Sequence, residues 1–189
     1  MIRIGILGDI GSGKSFVAKK FGYPVFNADL EVSKIYKKNK KIFVDLNNIL
    51  PNYIYSFPID KNEITNAILA NDINLKKIVT IVHKEVRKKM QIFLKKNKKR
   101  KIVILDIPLL LENKINSKND ILVFVDSKKK DIEKILKKRP AFNTKLFKKF
   151  KKIQFKSDYK KRKSDYILKN KFTEISVKKD IKKILNNIV

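Results

Sequence analysis

A doubly wound α/β fold on a mainly parallel five-stranded sheet follows from three features of the chain. Ile102–Leu105 and Ile121–Val125 are continuous apolar runs of strand length, as strands covered on both faces require, and Ile2, Ile4, Ile6 and Leu7 mark a further strand before them. Between them lie stretches with apolar residues at helical spacing. A glycine-rich turn, Gly8-Asp9-Ile10-Gly11-Ser12-Gly13-Lys14-Ser15, joins the first run to the first of these stretches.

The first strand rests on Ile2, Ile4, Ile6 and Leu7, and Phe16 to Phe21 after the turn form the opening of a helix. Pro24 to Asn27 is a second short strand with Asp29 at its carboxyl end, followed by a helical spacing from Leu30 to Tyr36. From Lys41 to Asn97 the pattern is mostly helical. Its stripes are Ile42, Phe43, Leu46, Ile49 and Leu50, then Ile64, Ala67 and Ile68, then a longer one from Ile73 to Phe93; Pro51 and Pro58 separate the first two. This block reads as a helical insertion from about Tyr36 to Asn97. A strand ending at Asp106, another ending at Asp126, a helix from Lys128 to Lys138, a short strand Tyr166-Ile167-Leu168 and a closing helix from Glu174 to Ile188 complete the order. Gly8, Asp29, Asp106 and Pro108 all fall at the carboxyl edge of the strands, where such sheets collect their ligands.

At 189 residues the chain suits one α/β domain with an insertion, not two ordinary domains. It has no cysteine, which excludes disulfides and thiolate metal sites, and it opens directly on a core strand, so no signal peptide is expected. No apolar run approaches the roughly 20 residues of a membrane span, so the expected setting is cytoplasmic, with no membrane partner. The formal charge of +29 is almost all lysine, spread beside Asn and Ile along the chain. That pattern fits a solvated surface and non-specific attraction to polyphosphates better than sequence-specific nucleic-acid binding, which leans on the arginine fork.

The turn fits G-x-x-x-x-G-K-S between a strand and a helix, a context in which backbone N–H groups curl around a polyphosphate. Gly8, Gly11, Ser12, Gly13, Lys14, Ser15 and Phe16 are therefore the expected ATP-binding residues, with Lys14 supplying positive charge and Ser15 a hydroxyl within reach of Mg²⁺. Every glycine lies at or before Gly22, so a D-x-x-G switch and a transporter signature are missing, and N-K-x-D does not occur. Small-molecule kinases remain, which need only the loop, a metal-side carboxylate, an acceptor-side base and a mobile cationic lid.

Along nearly its whole length the chain resembles dephospho-coenzyme A kinase, a P-loop kinase family. The resemblance rests on Gly8 to Ser15, Asn27-Ala28-Asp29 (usually D-A-D), Val82-His83 (usually L-H-P), Asp106-Ile107-Pro108-Leu109-Leu110-Leu111-Glu112, Val123 to Asp126, and Ser164-Asp165-Tyr166-Ile167-Leu168-Lys169-Asn170. It implies transfer of the ATP γ-phosphoryl group to the ribose 3′-hydroxyl of dephospho-coenzyme A. Asp29 matches the acceptor-side aspartate proposed as general base, and Arg139 an arginine near the ATP phosphates; with Lys14 they form the expected catalytic set. His83, Pro108, Leu109 and Glu112 would join Asp29 on the acceptor side, and Asp106 would join Ser15 at Mg²⁺. A lid is expected from about Arg139 to Lys163.

Read without the resemblance, each of these residues has a plainer alternative. Asp29 can cap the following helix, Asp106 can end a turn, His83 can sit in an apolar stripe, and Arg139 can interact with a helix terminus. Another nucleotide or nucleoside kinase, or an ATP-regulated nucleic-acid-binding protein, stays open as an alternative function. Asp9, Asn27 and Lys84 depart from the family pattern. The first places a carboxylate beside a triphosphate unless it turns outward.

Overall fold

The computed structural model describes residues 1–139 and 142–188. Pro140 and Ala141, inside the expected lid, lie outside the described residues. The chain divides into two compact units, one made of Met1–Asn27 with Asn97–Val189 and the other of Ala28–Lys96.

In the first unit, strands β1 (Ile2–Gly8), β2 (Val25–Asn27), β3 (Ile102–Asp106), β4 (Ile121–Asp126) and β5 (Tyr166–Lys169) form one sheet in the order β2-β3-β1-β4-β5. Every neighbouring pair is parallel, so the sheet is wholly rather than mainly parallel. Chain order reverses around β1: the connection through α1 (Lys14–Lys20) runs out to β2, and β4 and β5 then add on the other side. The carboxyl end of β1 is thus the switch point where an open sheet leaves a crevice, and the glycine turn begins there.

The pleat sends Ile4 and Ile6 to one face with Ile102, Ile104, Val123, Val125 and Leu168. They pack against Val17, Ala18 and Phe21 of α1 and Val177, Ile181 and Ile184 of α9 (Glu174–Ile188). Gly5 and Leu7 fall on the other face. A Cβ on Gly5 would stand 2.7 Å from Leu110 Cδ2 and 3.0 Å from Leu122 Cδ2, so the absent side chain is the space that Leu110 fills. Leu110 is 1% exposed, a burial that contributes roughly 1.5–3 kcal/mol.

After β4 come α6 (Lys129–Lys137), α7 (Thr144–Ile153) and α8 (Ser157–Arg162), which account for the lysine-rich stretch before β5. Asn143 caps α7 by accepting from Leu146 N–H at 2.9 Å.

The second unit is helical, as its stripes predict: α2 (Ala28–Lys38), α3 (Lys40–Ile49), α4 (Lys61–Ala70) and α5 (Asp72–Lys96). It begins eight residues earlier than Tyr36, because helix α2 folds with the insertion. Asn39 and Asp60 cap α3 and α4 through Ile42 and Asn62 N–H. Glu63 is buried, which the sequence does not reveal; its carboxylate accepts the Tyr55 and Ser56 N–H groups. Among the described residues, no helix is long and apolar enough to cross a membrane.

Candidate active site

The turn after β1 adopts the loop its glycines allow. Gly8, Gly11 and Gly13 have φ of 153°, 86° and 85°, values that side chains rarely take. Close neighbours add a second reason at Gly13, where a Cβ would lie 2.4 Å from Asn170 Nδ2. The Lys14 ammonium donates to Gly8 O at 3.2 Å and Asp9 O at 2.9 Å, which keeps the cation at the loop. From outside, Ser127 Oγ (2.8 Å) and Asn170 Nδ2 (2.9 Å) both donate to Ser12 O, clamping the loop from the ends of β4 and β5. Ser12 is itself buried, and its Oγ has no hydrogen-bond partner among the described residues. Phe16 packs against the core of the sheet.

Ser15 and Asp106 are linked through a third residue. Asn27 ends β2 beside Asp106 at the end of β3, and its Nδ2 donates to Asp106 Oδ2 and reaches Ser15 Oγ at 3.5 Å. Asp106 is buried while Ser15 is exposed.

On the Leu110 face, Leu109, Glu112, Gln154 and Lys160 line a small cleft with Gly8 and Lys14. Leu109 carries a φ of 56°, unusual for a branched side chain, in the turn that also sets Leu110 against Gly5. Pro108 precedes it, half-buried. The Glu112 carboxylate accepts Phe155 N–H at 2.9 Å, and Gln154 Oε1 accepts Ile10 N–H at 3.4 Å. These bonds tie the turn after β3 and the glycine loop to the α7–α8 junction.

The loop's carboxylate has an answer in the same junction. Asp9 Oδ1 accepts from Lys160 Nζ at 2.8 Å and Oδ2 from Ser157 Oγ at 2.6 Å. Burial by itself would raise the Asp9 carboxyl; the hydrogen bonds from Lys160 and Ser157 and the charges of Lys160 and Lys14 outweigh it and hold the group below its usual value. Lys160 is only 2% exposed and also donates to Gly8 O at 3.3 Å. No sequence motif marks Lys160, Ser157 or Ser127. The one available signal was Asp9, since a carboxylate beside an anion site calls for a cation.

Arg139 is exposed two residues beyond α6. Asp29 and His83 belong to the helical unit. Asp29 is exposed in the first turn of α2, two residues along the chain from Asn27, rather than at a strand end. His83 is half-buried on α5; burial and the Arg87 charge one turn away push its imidazole below the ordinary value.

The family model for dephospho-CoA kinase matches residues 2–175. A dephospho-CoA kinase of Wolbachia pipientis is 33% identical over 190 residues, covering 98% of this chain and 97% of that one. Among solved structures, a Thermus thermophilus protein superposes with a TM-score of 0.82 at 24% identity, covering 100% of this chain and 98% of its own. Dephospho-CoA kinase from Campylobacter jejuni superposes with a TM-score of 0.64 at 19% identity over 98% and 96% of the two chains. The loop at the switch point, the all-parallel sheet and a family match over almost the full length lead to one conclusion: the chain belongs to the dephospho-CoA kinase family, enzymes that use ATP to phosphorylate dephospho-coenzyme A in coenzyme A synthesis.

Proposed function

We propose that the Gly8–Ser15 loop receives the ATP triphosphate, that Asp29 aligns the acceptor's ribose 3′-hydroxyl, and that Ser15 and Asp106 hold Mg²⁺. The observation that carries this reading is the loop itself: three positive-φ glycines at the sheet's switch point with the Lys14 ammonium fastened across two of its carbonyls. Exchange of those carbonyls for phosphate oxygens puts Lys14 on the β- and γ-phosphates. The N–H groups of Gly11, Gly13, Lys14, Ser15 and Phe16 supply the neutral donors, while the Ser12 N–H is used within the loop, donating to Asp9 O at 3.0 Å.

In the transfer step the 3′-oxygen bonds to the γ-phosphorus while the bridge to the β-phosphate breaks, and ADP departs. The hydroxyl proton passes to the Asp29 carboxylate. Lys14 and Arg139 offset the negative charge on the transferring group and the leaving oxygen. A hydroxyl and a carboxylate joined through one amide are hard oxygen donors, which fits Mg²⁺ held by one or two protein oxygens, water and substrate phosphates. When bound, the ion neutralises charge shared by the β- and γ-phosphates. No group of three or more carboxylate or imidazole side chains placed to hold a metal occurs among the described residues.

On the acceptor side we assign His83, Pro108, Leu109 and Glu112. Leu109 and Glu112 share the cleft beside Gly8 and Lys14. The depressed imidazole leaves His83 neutral at pH 7, able to donate and accept one hydrogen bond each. A cytoplasmic setting belongs to the same reading.

Asp29→Asn tests the acceptor side. It is expected to lower turnover about 10²-fold while ATP affinity stays within a few-fold, because an amide cannot take the proton. Collapse of ATP affinity with turnover at saturating ATP preserved would place Asp29 on the wrong substrate.

A further inference from the structure

Lys160 is unlike the other lysines of its segment. Lys156 and Lys163 are exposed and Lys161 half-buried, whereas Lys160 keeps 2% of its surface in contact with solvent. An ammonium is buried to that degree only when it is paired. Its partners are two consecutive residues of the nucleotide loop, Gly8 through the carbonyl at 3.3 Å and Asp9 through the carboxylate at 2.8 Å. Ser157, one turn earlier on α8, takes the second carboxylate oxygen.

We infer that Lys160 is a positioning residue for the donor nucleotide: it neutralises Asp9 and holds that carboxylate toward α8, so that the loop presents net positive charge to the triphosphate. The inference rests on the reading of Gly8–Ser15 as the triphosphate site. Asp9 and Lys14 by themselves bring opposite charges to the same few ångströms of backbone, since the Lys14 ammonium bonds the Asp9 carbonyl. Without a second cation the loop's attraction for a polyanion would be largely cancelled. Lys160 restores one positive charge, and it shares Gly8 O with Lys14, so both ammonium groups lie at the start of the loop. The Gln154 carbonyl on Ile10 N–H at 3.4 Å extends the same brace by one residue.

An acidic residue at position 9 therefore comes with a dependence on position 160. ATP affinity falls when Lys160 is removed alone, and removal of Asp9 together with it gives most of that affinity back. A lysine that gripped phosphate directly would show no such rescue.

The test is ATP binding by calorimetry, with steady-state KM and kcat, for the full-length Lys160→Met, Asp9→Gly and doubly substituted proteins beside Lys14→Ala. Lys160→Met is expected to raise ATP Kd and KM about tenfold with kcat at saturation changed less than about threefold, and the double variant to return within about threefold of the parent Kd. An unchanged Kd in Lys160→Met, or a double variant as weak as Lys160→Met, overturns the inference. Should Lys160→Met fail to fold, Asp9→Asn decides: with the lysine intact and the anion removed, ATP binds at least as tightly as to the parent, and binding weakened more than about threefold overturns the inference. Lys14→Ala separates the two levels. If it loses ATP while Lys160→Met does not, the donor site stands and the brace fails; if it keeps ATP, the donor-site reading fails and the brace falls with it.

Discussion

Asn27 and Asp106 are register partners at the ends of adjacent parallel strands, and the Asn27 amide donates to Asp106 Oδ2 while reaching toward Ser15 Oγ. Relatives carrying D-A-D have an acid at this position. Here the residue is a donor, so the buried Asp106 carboxylate is matched by an N–H rather than faced by a like charge.

Asn27→Asp should therefore destabilise the protein by about 1–3 kcal/mol when Mg²⁺ is withheld, through loss of the donor and carboxylate repulsion. Part of the loss should return with Mg²⁺, which two acids can share. Urea unfolding with and without MgCl₂ checks both halves. Equal stability of variant and parent without Mg²⁺ would show that the Asn27 hydrogen bond contributes nothing.

Gly5 and Leu110 form a second dependent pair. Adding a methyl group at Gly5 puts it 2.7 Å from Leu110 Cδ2, so Gly5→Ala should cost about 1–3 kcal/mol, and Leu110→Ala about 2–5 kcal/mol from the cavity left behind. Because the added methyl enters the space that truncation empties, the double variant should be more stable than the sum of the single effects implies. Strict additivity in denaturant titration would contradict the packing.

His83 sets a pH dependence. Its folded pKa lies below 6.5, so in the window under 6.5 the unfolded chain binds more protons than the folded one. Its contribution is fully present above that window and is lost as pH falls through the folded value. Stability measured from pH 7.5 down to 5 should decline, and His83→Gln should remove part of the slope. An unaltered slope in the variant would mean that the imidazole titrates as it does in the unfolded chain.

Much of this molecule can be read from short-range pattern. Strand β1, its loop and helix α1 are local: Ile2, Ile4, Ile6 and Leu7 mark the strand, and the glycine spacing marks where φ turns positive. The helical unit announces itself through stripes at Ile42, Leu46, Ile64 and Ile68. Long-range polar pairing is what the pattern hides. Asp9 and Lys160 are 151 residues apart, and in a run where lysine is the commonest neighbour nothing local distinguishes the one that becomes buried. Glu63 is hidden in the same way, as a charged residue on an amphipathic helix whose partners are backbone amides of a preceding turn. Glu112 is legible as a residue, but its bond to the Phe155 backbone, like that of Gln154 to the Ile10 backbone, depends on the α7–α8 junction, which no periodicity locates.

In the proposed reaction the loop from Gly8 to Ser15 holds the ATP whose phosphoryl group passes to dephospho-coenzyme A. That role is tested most directly by following ATP consumption with and without dephospho-coenzyme A in the parent and in Lys14→Ala, the fold of each checked by circular dichroism. The parent should consume ATP in step with dephospho-coenzyme A, and the folded variant should lose about 10²-fold or more of that turnover, since it lacks the point charge on the β- and γ-phosphates. A folded Lys14→Ala protein that turns over near the parent rate would place the donor site elsewhere.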